Sequence, residues 1–167
     1  MINPIIYKLV IAQLFRILST LIILFFFKFP LYIKILFIML TELIDCSPIH
    51  HYITEWVNCK SFLYQSTDKI TDTIIYTILF IYFIIHTSLS NVQNYILLFL
   101  LIFRIIGTSL FILNNYRRYL ILFPNIFLVI SLIFAYFNYF KKYNKFLYFT
   151  CILGLIYKIS HEIYLHL

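Results

Sequence analysis

The sequence contains little of what a soluble domain needs at its surface. Charged residues make up 11% of the 167 residues and glycine occurs twice, whereas hydrophobic residues reach 63%. A typical soluble domain has about 25% charged and about 45–50% apolar residues, and a chain of this size has too small an interior to hide the excess. These scarcities exclude an ordinary soluble fold. With no Ser/Gly linker present, we predict an integral membrane protein with one domain and short loops.

Cysteines and dense basic runs are also scarce. The three cysteines are odd in number and irregularly spaced, which does not indicate a disulfide framework. The formal net charge is +7, but the lysines and arginines mostly flank apolar segments. This distribution indicates anionic lipid headgroups rather than nucleic acid as the partner. The first apolar segment contains Lys8 and Arg16 and lacks a small-residue cleavage site, so we predict a retained helix rather than a signal peptide.

Six segments are apolar over the length of about 20 residues that a spanning helix needs. They are continuously apolar rather than alternating, which favours helices over the strands of a membrane barrel. We predict an all-α polytopic bundle of six transmembrane helices in a single domain over residues 1–167. Basic residues are nearly balanced between the two sides, so the orientation stays open, as does the organelle. The predicted spans are 5–27, 29–45, 68–87, 94–113, 119–137 and 146–164, with a polar loop at 46–67.

Four of the six acidic residues, including every aspartate, fall at two facing helix ends. Glu42 and Asp45 are spaced i, i+3 at the end of the second span, and Asp68 and Asp72 are spaced i, i+4 at the start of the third. Each pair lies on one helix face, and antiparallel neighbours bring both pairs to the same depth. Converging carboxylates repel each other, and a divalent cation relieves the repulsion. The pattern predicts a metal site, although helix-end charges that meet water, or an N-cap at Asp68, would also explain it.

The same residues resemble the motif of the CDP-alcohol phosphatidyltransferases, which are six-helix membrane enzymes. The family pattern is D-x2-D-G-x2-A-R, then a spacer, then G-x3-D-x3-D. Its first half is similar to Glu42-Leu-Ile-Asp45-Cys46, and its second half is similar to Tyr64-Gln-Ser-Thr-Asp68-Lys-Ile-Thr-Asp72. The chain departs from the pattern at Glu42 and at both glycine positions. The resemblance covers the whole chain loosely and residues 42–72 more closely.

The resemblance implies a transferase of phospholipid biosynthesis. Glu42, Asp45 and Asp68 would bind Mg²⁺ or Mn²⁺, and Asp72 would share this metal site and act as the catalytic general base. An alcohol acceptor would attack the phosphorus of a CDP-linked lipid or alcohol and release CMP. The implied partners are therefore the lipid bilayer, the CDP-linked donor and the alcohol, and a homodimer is compatible with the prediction.

Three arginines are candidates for phosphate binding. Arg104 lies in the middle of the fourth predicted span. A charge at this depth is costly and usually faces the protein interior or a polar cavity. Arg104 is therefore predicted to bind a lipid phosphate or to pair with the acidic cluster. Arg117 and Arg118 follow the fourth span and are either interfacial anchors or phosphate ligands.

Other functions remain open at the level of the sequence. The absent motif glycines and arginine fit a non-catalytic multipass protein, either a degenerate member of the fold or a structural membrane organiser. Zinc-type ligands occur in the polar loop, but their spacing fits no common zinc pattern; they are Cys46, His50, His51 and Cys59. A transporter or channel would need more polar residues along a path through the membrane than Arg104 and His86 provide.

Overall fold

The described part of the chain is almost entirely helical. The computed structural model describes residues 4–43, 61–141 and 145–166. Every regular element in these three ranges is a helix. The helices are α1 (Pro4–Phe25), α2 (Leu31–Leu43), α3 (Phe62–His86), α4 (Asn91–Asn114), α5 (Arg118–Leu122), α6 (Phe127–Phe140) and α7 (Lys145–His166).

Four segments are long and apolar enough to cross a membrane, in agreement with the predicted all-α membrane class. They are Ile6–Phe25, Phe62–His86, Asn91–Asn114 and Arg118–Phe140. The α2 helix has 13 residues. At about 1.5 Å per residue it is shorter than a hydrocarbon core of about 30 Å, and the end of the second predicted span lies outside the described residues. Four of the six predicted spans are thus met by helical segments of spanning length.

Two helices begin earlier than predicted, and a serine cap explains each start. The α3 helix begins at Phe62 rather than at 68, so the end of the predicted 46–67 loop is helical. Its N-cap is Ser61, whose side chain accepts a hydrogen bond from the Tyr64 backbone N–H. The α4 helix begins at Asn91 rather than at 94, behind a capping box formed by Ser90 and Gln93. A cap satisfies backbone N–H groups that have no partner within the helix, which fixes the first turn.

The fifth predicted span, 119–137, is a broken helix rather than a continuous one. The α5 helix ends at Leu122 and α6 begins at Phe127, with Pro124 between them. Proline has no backbone N–H, and its ring clashes with the carbonyl four residues earlier. Pro124 falls inside the predicted span 119–137, whereas the structure places it in the break.

The break packs closely against α4 because α4 carries a glycine at the contact. A Cβ atom on Gly107 would lie 2.2 Å from the Phe123 Cβ atom. Around this contact, α3 packs between α1 and α4, and α6 packs against α2, α4 and α7. Large apolar side chains such as Phe15 and Phe99 remain exposed on the outer helix faces. Such faces suit contact with lipid tails.

A buried lysine joins three helices at one end of the bundle. The Lys34 Nζ atom donates hydrogen bonds to the Leu24 carbonyl oxygen at 2.6 Å and to the Tyr82 hydroxyl at 3.0 Å. It also lies 5.1 Å from the centre of the Tyr82 ring. A cation is favourable at the C-terminal end of a helix, where backbone carbonyls have no helical partner. Lys34 therefore holds the end of α1 against α2 and α3.

Candidate functional site

A column of polar side chains runs along one face of α3 in the middle of the bundle. Asp68, Asp72 and Tyr76 are spaced four residues apart and so lie one above another on the helix. All three are buried, with exposed fractions of 3%, 3% and 0%. Buried charges are stable only when they are paired. The two aspartates of the column therefore need positively charged partners.

Arg16 of α1 bridges the two aspartates. Its Nη1 atom donates to Asp68 Oδ1 at 2.6 Å, and its Nη2 atom donates to Asp72 Oδ1 at 2.8 Å. The Nη1 atom also donates to Gln13 Oε1 at 3.0 Å. The site residues predicted from the sequence do not include Arg16. Its position inside an apolar span was the available signal, because such charges usually face a polar partner.

Two further cations complete the pairing of the aspartates. The Lys69 Nζ atom lies 2.6 Å from Asp68 Oδ2 and 3.7 Å from Asp72 Oδ2. The Arg104 Nη2 atom lies 3.7 Å from the same Asp72 oxygen. Each of the four carboxylate oxygens of Asp68 and Asp72 therefore has a cationic nitrogen within 4 Å. The cluster is an ion-pair network drawn from α1, α3 and α4.

Arg104 also connects the network to the helix break. It is almost completely buried, with an exposed fraction of 1%. Its Nη1 atom donates to the Phe123 carbonyl oxygen at 3.0 Å. The break leaves backbone carbonyls without a helical partner, and Arg104 satisfies one of them. The predicted pairing of Arg104 with the acidic cluster thus has a geometric counterpart in its contact with Asp72.

Glu42 of α2 contacts the Tyr76 end of the same column. The Tyr76 hydroxyl donates to Glu42 Oε1 at 2.7 Å, and it accepts a hydrogen bond from the Asn125 side-chain amide. Asn125 lies in the break before α6, so this chain of contacts joins α2, α3 and the break. Glu42 is therefore near the aspartates along the column, but its carboxylate is held by Tyr76.

The described residues do not by themselves form the predicted metal site. Within the three described ranges, no group of three or more His, Cys, Asp or Glu side chains is placed to hold a metal ion. Asp45 lies outside these ranges, as do Cys46, His50, His51 and Cys59 of the zinc alternative. Asp68 and Asp72 do converge, but they converge on Arg16. A cation between them would have to displace that guanidinium, and its remaining ligands would have to come from elsewhere.

The remaining arginine pair lies at the start of α5. Arg117 is the N-cap residue of the short α5 helix. The Arg118 guanidinium lies 5.6 Å from the centre of the Tyr116 ring. Arginine over an exposed tyrosine is an arrangement that suits a membrane interface, where both groups have an apolar body and a polar end.

Comparison with known proteins finds no matching family model, no matching curated protein and no matching solved structure. The resemblance to the phosphatidyltransferases therefore rests on residues 42–72 and on the placement of their carboxylates.

Proposed function

We propose that the chain is a six-span multipass membrane protein. The parallel packing of α1 and α3 supports this proposal. Arg16 of α1 meets Asp68 and Asp72 near the start of α3, and Phe25 at the end of α1 meets Tyr82 and His86 near the end of α3. If both helices cross in the same direction, the chain has to return across the membrane between them. The α2 helix lies in that interval.

For its activity, we propose a divergent CDP-alcohol phosphatidyltransferase-like enzyme. It would transfer a phosphatidyl or phospho-alcohol group from a CDP-linked donor to an alcohol. The observation that carries the proposal is the convergence of Asp68, Asp72, Arg16, Lys69 and Arg104 in a buried column of an apolar bundle. Ionisable groups at membrane depth are costly and commonly mark substrate sites.

The ion pairs suggest how the site would respond to a phosphate. A phosphate group is an anion, so it can compete with the aspartates for Arg16, Lys69 and Arg104. This exchange would free Asp72 to act as a general base. The acceptor oxygen would form a bond to phosphorus, its proton would pass to Asp72, and the bond from phosphorus to the CMP oxygen would break. The contribution of this chain would be positioning, charge neutralisation and one proton transfer.

The second candidate is a non-catalytic membrane protein, and the same network supports it. Every carboxylate oxygen of Asp68 and Asp72 already has a cationic neighbour. Glu42 is tied to the same column by its hydrogen bond with Tyr76. A paired, hydrogen-bonded network can serve to fix the register of the helices without any chemistry.

An assay of CMP release separates the two candidates. The protein is purified in detergent and supplied with labelled CDP-diacylglycerol, a panel of alcohols, and Mg²⁺ or Mn²⁺. We expect CMP release that is lost on chelation with EDTA and lost in Asp72→Asn. The matched control is Thr73→Val, the next residue of α3, whose hydroxyl bonds the Lys69 carbonyl oxygen at 2.8 Å; this variant should keep its activity. Absence of CMP with every alcohol, from protein that remains folded, would leave the non-catalytic candidate.

A further inference from the structure

The guanidinium of Arg104 has one edge that makes no hydrogen bond within the described part of the chain. Its Nη1 atom is used by the Phe123 carbonyl oxygen. Its Nε and Nη2 atoms are buried and have no hydrogen-bond partner among the described residues. The nearest anion, Asp72 Oδ2, lies 3.7 Å from Nη2, which is within ion-pair range but too far for a hydrogen bond. Asp72 thus balances the charge of Arg104, but the Nε and Nη2 atoms donate no hydrogen bond to any described residue.

A second unpartnered group lies one helical turn further along α4. The Thr108 hydroxyl is buried, with 4% of the residue exposed, and has no hydrogen-bond partner among the described residues. Residues at positions i and i+4 lie on the same helix face. Arg104 and Thr108 therefore present three unused polar atoms on one strip of α4, which are Nε, Nη2 and Oγ1.

These atoms match the chemistry of a phosphate group. The Nε–Nη2 edge of arginine donates two parallel hydrogen bonds to oxyanions, and a threonine hydroxyl donates a third. Lys69 adds positive charge close to Arg104. Its Nζ atom and Arg104 Nη2 both lie 3.7 Å from the same oxygen, Asp72 Oδ2. Leaving buried donors unpaired is costly, so an occupant that pairs them is favoured.

We propose that Arg104 and Thr108 form a binding site for one phosphate group. The phosphate oxygens accept hydrogen bonds from Arg104 Nε, Arg104 Nη2 and the Thr108 hydroxyl. The inference rests on the proposed function, because it names the part of the substrate that α4 holds. The phosphate belongs either to a lipid headgroup or to a small soluble compound, and the two sources share this chemistry.

Thermal unfolding of the whole protein in detergent tests the site. The three additions are phosphatidic acid, inorganic phosphate and diacylglycerol, which lacks phosphate. We expect phosphatidic acid to raise the unfolding temperature and diacylglycerol to leave it unchanged. A rise with inorganic phosphate as well would show that the phosphate alone is sufficient. A rise with phosphatidic acid alone would assign the site to lipid.

Two variants and one control connect the response to the proposed atoms. Thr108→Val should weaken the apparent affinity about 10-fold, the scale of one hydrogen bond to a charged group, without lowering stability in the absence of phosphate. Arg104→Lys keeps the charge and loses the edge, so it should weaken binding at least as much. The control is Thr71→Val, which is equally buried but loses an internal bond to the Thr67 carbonyl oxygen; its affinity should not change.

Two outcomes separate this inference from the proposed activity, and a third would overturn the inference itself. If phosphate binding depends on Thr108 but the protein releases no CMP, the phosphate site is supported and the transferase proposal is contradicted. If Thr108→Val releases CMP with the same kinetics as the unchanged protein, the transferase proposal is supported and the phosphate site is contradicted. No stabilisation by either phosphate compound, or equal loss in Thr108→Val and Thr71→Val, would overturn the inference.

Discussion

At the residue scale, Arg16 is the group on which the buried network depends. It contacts Asp68 and Asp72 with separate nitrogen atoms, at 2.6 and 2.8 Å. A lysine has a single nitrogen and cannot span both carboxylates with the same planar geometry. Removing one member of a buried ion pair leaves a charge without compensation, which costs more than the pair itself contributes.

We predict that Arg16→Met lowers the free energy of unfolding by about 3–5 kcal/mol, the range for breaking a buried ion pair. Arg16→Lys should lower it less, because a positive charge remains near one aspartate. The measurement is an unfolding equilibrium in mixed detergent micelles. Adding Asp72→Asn to Arg16→Met should recover part of the loss, because it removes the repulsion between Asp72 and Asp68. A fully additive loss in the double variant would contradict the coupling of these residues.

At the element scale, the broken helix after α4 is the feature that organises the site. Pro124 ends α5, the Phe123 carbonyl oxygen accepts from Arg104, and the Asn125 side chain bonds Tyr76. Gly107 lets α4 approach this break closely. The break is therefore tied to the polar column on both sides of the proline.

We predict that Gly107→Ala lowers the free energy of unfolding by about 1–3 kcal/mol, the usual cost of overpacking. The new Cβ atom would lie 2.2 Å from the Phe123 Cβ atom, and that atom is fixed to the backbone. The control is Gly154→Ala, whose Cβ atom would meet the ends of Val129 and Ile133 at 3.0 and 3.1 Å. Side-chain ends can move aside, so this loss should be smaller. Equal losses in the two variants would contradict the close contact at the break.

Local sequence signals predicted much of the fold at this scale. The apolar runs predicted the helices. Serine is a residue type that caps helix N-termini, but the predicted spans begin several residues after Ser61 and Ser90 and do not use them as caps. Pro124 is the sixth residue of the predicted fifth span, where a proline kinks or breaks a helix, so the break has a sequence signal that the predicted span does not include. The two early helix starts concern boundaries, whereas the break divides one predicted element into α5 and α6.

The site was only partly predictable, because its pairing is tertiary. The spacing of Asp68 and Asp72 predicted a shared face, and the structure places both on one. Their partner Arg16 is 52 and 56 residues away in sequence. A local pattern does not tell which helices are neighbours, so it predicts converging carboxylates without predicting their partner. The pairing of α1 with α3 brings Arg16 to both of them.

At the scale of the whole molecule, the two ends of the bundle have different contacts. At one end, Lys34 joins the end of α1 to Tyr82, and the Tyr32 ring contacts Tyr136 near the end of α6. At the other end, Phe62 at the start of α3 contacts Phe111 near the end of α4. These contacts give the directions of five helices, with α1, α3 and α6 parallel to one another and α2 and α4 antiparallel to them.

These directions predict the topology of the proposed six-span protein. The turn after α1 and the turn between α3 and α4 should lie on the same side of the membrane, and the turn after α4 should lie on the opposite side. The test uses single cysteines at Lys28, Ser88 and Asn114, which are all exposed, after the native cysteines are replaced by serine. A membrane-impermeant thiol reagent is applied to sealed vesicles of known orientation.

We expect Lys28→Cys and Ser88→Cys to react from one side and Asn114→Cys to react only from the other. Retaining Cys59 as the sole cysteine tests α2, because a chain that has returned across the membrane brings this residue to the Asn114 side. Detergent-opened vesicles, in which every site should react, control for burial of the thiol. Reaction of Lys28→Cys and Ser88→Cys from opposite sides would contradict the parallel crossing of α1 and α3. The contacts of Arg16 with Asp68 and Asp72 and of Phe25 with Tyr82 together require parallel helices, so that result would also contradict the packing of α1 on α3.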